Sequence, residues 1–323
     1  MNIAQISSLN DRAAGLLSSM IETAPLLAVA EFQEEASDHL LATGRESKSG
    51  SGVRNEGDAA NRTAVTPDVT PRKLRLYSRE VAVDDVRIQD AKRGVVAPQG
   101  LKNFYDGQLK VEALGIAEEF QDEAFTGTDT TNGGGKYRML GFSEFIKDAN
   151  AAGQTTRFGF STTDLAGMNS QLSLKLDTEA NQNAFVESLM KLVAQVPGAN
   201  AIMLNSNLSA RLTTIGKRLG AAGESTTTFG TKVKTFDGKA IVELPTTAIP
   251  QTESDGTNSD CTSLYVVRFA ESTGAAFTTN SGFLFTDFAE TSQLPSGIAR
   301  LQMFVNLAVL RRNAVRRMSR IRL

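Results

Sequence analysis

Few residues of this chain could do chemistry by themselves. Its 323 residues include one histidine, one cysteine and no tryptophan. His39 lies among Glu34, Glu35, Ser37 and Asp38, a polar patch in which a lone imidazole is ordinarily a solvated surface group rather than a base or ligand. Cys261 follows Asp260 in a polar stretch. With no second histidine or cysteine near it in sequence, neither a thiolate nucleophile nor a thiolate metal site is indicated. The glycine-rich run from Gly127 to Tyr137 invites a phosphate-loop reading, but its spacing fails. Thr130 stands where the first glycine is needed, and Tyr137 replaces the hydroxyl residue that would hold magnesium. No apolar strand feeds the run. These residues point away from an enzyme, a metal site and a bound cofactor, although Asp and Glu leave acid–base chemistry open.

Composition narrows the class further. Lys and Arg number 34 against 36 Asp and Glu, a net charge of −2, so no global basic field gathers nucleic acid. Hydrophobic residues make up 41% and charged residues 22%, an ordinary balance for a soluble chain able to bury one large core or two. A single cysteine excludes an internal disulfide framework and fits a reducing compartment. The N-terminus lacks the basic start of a secretory signal. The most apolar stretch, Ala24 to Ala30, is far short of the roughly 20 residues a membrane span needs, so no membrane contact is expected.

Periodicity organises the rest. Leu16, Leu17, Met20 and Ile21 share one helical face, Pro25 breaks the pattern, and Leu26, Leu27, Ala30 and Glu34 are expected to continue a second helix. Residues 1–43 hold too little for a core of their own and read as an arm that docks elsewhere. From 44 to 71 the chain is rich in Gly, Ser, Asn and Thr, either a flexible linker or a projecting loop ordered by neighbours. Leu74 and Leu76, Val81 and Val83, then Val86 and Ile88 alternate with polar residues and predict a charged antiparallel ribbon too polar to stand alone. A long helix is predicted over 101–125, with Leu109, Ala113, Ile116, Phe120 and Ala124 as its apolar stripe. Glu118, Glu119, Asp122 and Glu123 face away from that stripe. Gly107 and Gly115 weaken the helix and leave room for another backbone.

Residues 177–270 read as an α/β module. A helix capped near Asp177 or Thr178 stops at Pro197-Gly198, and a buried strand 201–204 follows. A helix capped by Asn207 ends at Gly220, and 223–230 reads as a loop. The module closes with a hairpin turning at Asp237-Gly238 and a strand over 263–270. Beyond it, 275–279 and 283–287 predict a hairpin across Asn280-Ser-Gly, and Leu301, Met303, Val305, Leu307 and Val309 mark a strand. The tail carries Arg311, Arg312, Arg316, Arg317, Arg320 and Arg322 interleaved with Val315, Met318, Ile321 and Leu323. It reads as a packed element whose arginines pair with the acidic long helix, or as a surface facing DNA.

The order of parts resembles the major capsid proteins of tailed bacteriophages, the Hong Kong 97-type fold. The phrases that carry the likeness are Ala201-Ile-Met-Leu-Asn-Ser-Asn-Leu-Ser-Ala-Arg-Leu, Phe236-Asp-Gly-Lys-Ala-Ile-Val-Glu with Ser263-Leu-Tyr-Val-Val-Arg-Phe, and the closing Ala299-Arg-Leu with Arg317-Met-Ser-Arg-Ile. The likeness covers roughly residues 70–323. It implies an α+β fold divided into an N-terminal arm (1–43), an extended loop (44–90), a peripheral domain with a spine helix (91–176), an axial domain (177–270) and C-terminal peripheral strands (271–323). It also implies a subunit that self-assembles, as hexamers and pentamers, into an icosahedral shell around double-stranded DNA. The DNA would lie on the inner face without sequence specificity. Portal, decoration and scaffolding proteins are the implied partners; the location is the virion, reached through the host cytoplasm. The alternatives are an encapsulin-like nanocompartment shell and a phage tail or decoration protein. Expected contacts with other copies are Leu16, Met20, Leu26, Leu27, Arg72, Lys73, Arg75, Glu118, Glu119, Arg316 and Arg317. Lys48 and Lys73 lie in or near the extended loop, but no phrase marks either for the isopeptide crosslink of some family members.

Overall fold

Three short helices open the chain. In α1 (Ile3–Ile6) Asn2 and Gln5 cap each other reciprocally, side chain to backbone. α2 (Asp11–Thr23) buries Leu16, Leu17, Met20 and Ile21 on one face. Pro25 starts α3 (Pro25–Val29), where its missing N–H would have had no partner anyway. The helix expected to run on to Glu34 stops at Val29. Phe32–Glu34 is a strand, β1, parallel to residues 277–279. Tertiary packing overrides helical propensity here: the Phe32 ring sits 5.7 Å from Phe277 and 6.3 Å from Phe120. The computed structural model describes residues 2–7, 11–35, 39–40, 72–95, 97–131, 134–148, 155–226, 232–291 and 294–323. The linker or loop read over 44–71, with Lys48, lies outside these.

β2 (His39–Leu40) pairs with β3 (Arg72–Lys73), and β4 (Arg75–Ala82) follows. The predicted ribbon does not form. β4 pairs along its whole length with residues 298–305, and Val86 and Ile88 lie on a helix, α4 (Asp85–Lys92). Asp84 explains the switch, since its carboxylate accepts from Val86 N at 2.9 Å and caps the helix. The inward residues of β4 are Tyr77 and Val81, while Leu76 is exposed.

α5 (Pro98–Thr126) is 29 residues long. The side chains of Leu109, Ala113, Ile116, Phe120 and Ala124 are wholly buried. At roughly 1.5–3 kcal/mol for each fully buried large apolar side chain, this stripe is a main anchor of the fold. Phe120 meets Phe277 edge-on at 5.0 Å and Tyr77 at 6.3 Å. Glu123, expected outside, is buried beneath Arg75. Apart from the chain neighbours and the backbone of α5 itself, no described atom lies within 4 Å of where a side chain would project at Gly107 or Gly115.

After α6 (Phe142–Phe145) and α7 (Thr162–Ala166) come β5 (Asn169–Lys175), α8 (Glu179–Ala194), β6 (Ala201–Asn205), α9 (Ser206–Leu219), β7 (Ala222–Thr226), β8 (Lys232–Phe236), β9 (Lys239–Leu244) and β10 (Cys261–Val267). Thr178 caps α8. The cap of α9 is Asn205, not Asn207, and part of the predicted 223–230 loop is the strand β7. The β8–β9 turn is type I′, with φ of 49° at Asp237 and 72° at Gly238.

β11 (Ala275–Thr279) and β12 (Phe283–Thr286) do not form the predicted hairpin. Both lie antiparallel along one later strand. Thr278 pairs with Asn306 and Phe283 with Met303, so five steps on one strand match three on the other. They form one strand interrupted by a bulge at Asn280-Ser-Gly. Ser7 holds that bulge by accepting from Phe283 N at 2.7 Å. β13 (Ala289–Thr291) and β14 (Leu294–Ser296) pair together, and β15 (Ile298–Val309) and β16 (Val315–Arg322) end the chain.

Two larger sheets result. One has the order β1-β11-β15-β12, with β4 on β15; the other runs β5-β16-β10-β6-β9-β8-β7. The second sheet is the wall between two cores. Tyr265, Val267 and Met203 face the core built around α5, while Leu264, Val266, Ile202 and Leu204 face the one under α8 and α9. Burial on both faces accounts for the apolar runs Ala201 to Leu204 in β6 and Leu264 to Val267 in β10.

Candidate assembly surfaces

The side chains expected to meet other copies fall into distinct settings. Leu16, Met20, Leu26 and Leu27 are buried in this chain's own core, where α2 and α3 pack on α5 and α3 also packs on β9. They have almost no surface left to offer. Lys73 and Glu118 are exposed. The backbone of Lys73 pairs with His39, and its carbonyl accepts from Asn306 Nδ2 at 2.8 Å. Arg72 pairs through its backbone with Leu40; the side chains of Arg72 and His39 lie outside the described residues.

Arg75 and Glu119 meet each other within the chain, because β4 crosses the acidic face of α5. Arg75 donates to Glu119 at 3.0 Å and to Glu123 at 3.4 Å, with its guanidinium 5.1 Å from the Tyr77 ring centre. Arg79 reaches Glu119 at 3.2 Å, and Arg138 reaches Glu123 at 3.4 Å. Tyr77 donates to Glu123 at 2.8 Å. Burial, then the Glu123 charge, pushes the Tyr77 phenol well above its usual range.

Arg312, Arg316, Arg317, Arg320 and Arg322 of the tail pair within the chain, but not with α5, and Arg311 is exposed. β16 lies in the second sheet between β5 and β10, so its side chains face the loops around 146–148, 164–167 and 253–260. Arg312 meets Asp164 at 2.9 Å, Arg316 donates to the Gly167 carbonyl at 2.6 Å, and Arg322 meets Asp260 at 2.9 Å. Arg317 is 4% exposed and meets Glu253 at 2.5 Å, the Ile146 carbonyl at 2.8 Å and Ser263 Oγ at 3.0 Å. Its guanidinium also lies 5.6 Å from the Tyr265 ring. Burial pushes the Tyr265 phenol up to about 12. Burial likewise pushes the Glu253 carboxyl up, against the pull of Arg317. Asp148 moves the other way: burial opposes, but hydrogen bonds from Ser319, Asn169 and Arg320 hold its carboxyl below the usual range.

Sequence reasoning missed the buried Arg317 cluster, the double clasp of Arg12 on Asp106 and Asp287, and Asn306. The last had a signal, a single amide within the apolar run Val305 to Val309. Asn306 accepts from Leu140 N at 3.0 Å and so ties β15 to the segment after α5. Nothing in these clusters is arranged to attack a substrate. Burial pushes the Cys261 thiol up, and Asp255 and Asp260 add to it, so it is no ready thiolate. Among the described residues no three His, Cys, Asp or Glu gather to hold a metal, and no helix is long and apolar enough to cross a membrane.

No protein-family model matches this chain, and no curated protein matches it by sequence. Solved structures match over nearly its whole length. The capsid of the native GTA particle matches 92% of this chain and 90% of its own, with a TM-score of 0.53 and 15% identity. The empty GTA capsid gives 0.51 and 16% over the same shares. The capsid of cyanophage A-1(L) gives 0.50 and 12%, covering 92% of each chain. The fold is therefore the mixed α and β fold of the Hong Kong 97-type capsid proteins.

Proposed function

We propose that this chain is the major capsid protein of a tailed bacteriophage, a shell subunit that assembles with copies of itself around double-stranded DNA. One observation carries the reading: the match to capsid subunits is reciprocal, leaving about a tenth or less of either chain unaccounted for. The scarcity of histidine and cysteine supports the same conclusion, and the reading assigns no catalytic role. Residues 1–43 act as an arm, 44–90 as an extended loop, 91–176 and 271–323 as the peripheral domain, and 177–270 as the axial domain. β5 and β16 join the axial sheet from outside that last span.

Hexamers and pentamers would share many modest contacts, which a closed shell multiplies. The arm is not available for exchange without exposing Met20, Leu26 and Leu27, so contacts between copies fall to Lys73, Glu118 and the segment 44–71. Near-neutral net charge suits a container filled by a motor rather than by attraction. Portal, decoration and scaffolding proteins would be the further partners, met in the host cytoplasm before the virion is complete.

The test is to express the full chain and view it by negative-stain electron microscopy. Closed particles are expected, and particles from infected cells should protect DNA from nuclease. A stable monomer at high concentration rejects the reading, and shells that hold a protein cargo instead of DNA favour a nanocompartment.

A further inference from the structure

One face of α5 is left uncovered by the described residues. Val111, 66% exposed, and Phe104, 41% exposed, lie two turns apart on it. Gly107 and Gly115 stand about one turn to either side of Val111, and no other element comes within 4 Å of a side chain built at either. Two large apolar groups on one helix face, with open glycines between and beside them, mark an interaction surface. The next ridge of that face is Lys110, Leu114 and Glu118, four residues from one to the next. Leu114 is half-buried, and both charged ends of the ridge are exposed.

Neither charge is answered within the described residues. Asp106, one turn before Lys110, is taken by Arg12. Arg79 of β4 meets Glu112 and Glu119, not Glu118. One turn beyond Glu118 stands Asp122, a like charge. Lys110 and Glu118 are about 12 Å apart along the helix and do not pair with each other.

Symmetry selects the partner that answers both. Two α5 helices running antiparallel about a two-fold axis at Leu114 bring each residue before Leu114 beside the one equally far after it in the other copy. Lys110 and Glu118 are both four residues from that centre, so each Lys110 meets the other copy's Glu118, and the pair forms twice. Val111 stands between glycines, so the other copy's Leu114 can lie against it at a short distance between helix axes. A parallel pair in register would set Lys110 on Lys110 and Glu118 on Glu118, like on like.

We propose that this face of α5 is an isologous contact between two copies of the chain, antiparallel about Leu114. It deepens the reading of a self-associating shell subunit, and it rests on that reading only in that copies meet.

The experiment follows association of the full chain by sedimentation velocity over a concentration series, with negative-stain microscopy of the same samples. Lys110→Glu and Glu118→Lys should each weaken association about tenfold or more, since each sets like charges together at two places. The double variant Lys110→Glu/Glu118→Lys should recover most of that loss, because both pairs re-form with their signs exchanged. Val111→Asp, at an exposed site, should weaken association with an unchanged Tm. A wild-type chain that stays monomeric, equal association by all the variants, or a double variant no better than the single ones overturns the proposal. Dimers that follow this pattern but never close into shells keep the proposal and reject the capsid reading; shells indifferent to every variant do the reverse.

Discussion

Two arginine clusters use the same chemistry at different depths. Arg79 meets Glu119 at 3.2 Å with its side chain 44% exposed; Arg317 meets Glu253 at 2.5 Å with its side chain 4% exposed. Both are close ion pairs, but water competes for the first and not for the second. An exposed pair typically contributes about 0–1 kcal/mol. A buried pair gains little net stability from being an ion pair, because both charges were desolvated, yet removing one partner strands the other and costs about 3–5 kcal/mol. Arg317 therefore pins β16, β10 and the loops at 146 and 253 together, while Arg79 mainly decorates the surface where β4 crosses α5.

The sharpest way to break this contrast is Arg317→Ala. It should lower stability by about 3–5 kcal/mol, read as a large fall in Tm or in the denaturation midpoint. A loss below about 1 kcal/mol, the range of an exposed pair, would erase the distinction. The next effect is a pH dependence. Asp148 has a depressed folded pKa, so its stabilisation is present above the ordinary carboxylate value and is lost as pH falls through the folded one. Glu253 has a raised folded pKa, so its contribution is greatest at low pH and declines as pH rises from the ordinary glutamate value towards the folded one. Asp148→Asn should flatten the acid limb of the stability profile below about pH 4, and Glu253→Gln should leave that limb in place. Identical acid limbs for Asp148→Asn and wild type would show that the Ser319, Asn169 and Arg320 contacts do not stabilise the charged form. The smallest effect belongs to Arg79→Ala, expected within about 1 kcal/mol and further reduced in high salt. A larger loss would mean that the acidic face of α5 is less solvated than its exposure indicates.

Legibility from sequence followed the range of the interaction. The stripe of α5, the cap at Thr178, the Gly220 stop and the Asp237-Gly238 turn were readable because each depends on neighbours within a few residues. The failures came where a distant partner decided. Phe32 left the helical pattern for the rings of Phe120 and Phe277. Leu76 and Tyr77 exchanged faces because β4 took its register from β15. The expected hairpin at Asn280-Ser-Gly became one bulged strand because β15 offered a single continuous edge to both halves. Contacts expected with other copies drew most heavily on charge and apolar residues that the chain uses itself, Arg75, Glu119 and Arg317 among them.

By itself the sequence determined most kinds of element and their order, the scarcity of histidine and cysteine, and the buried run of β6, since periodicity and composition are local properties. Only the tertiary structure decided which strand lies beside which and which carboxylate each arginine meets. Those outcomes depend on residues far apart in the chain being brought within about 3 Å, the reach of a hydrogen bond or ion pair, and no local pattern encodes that distance.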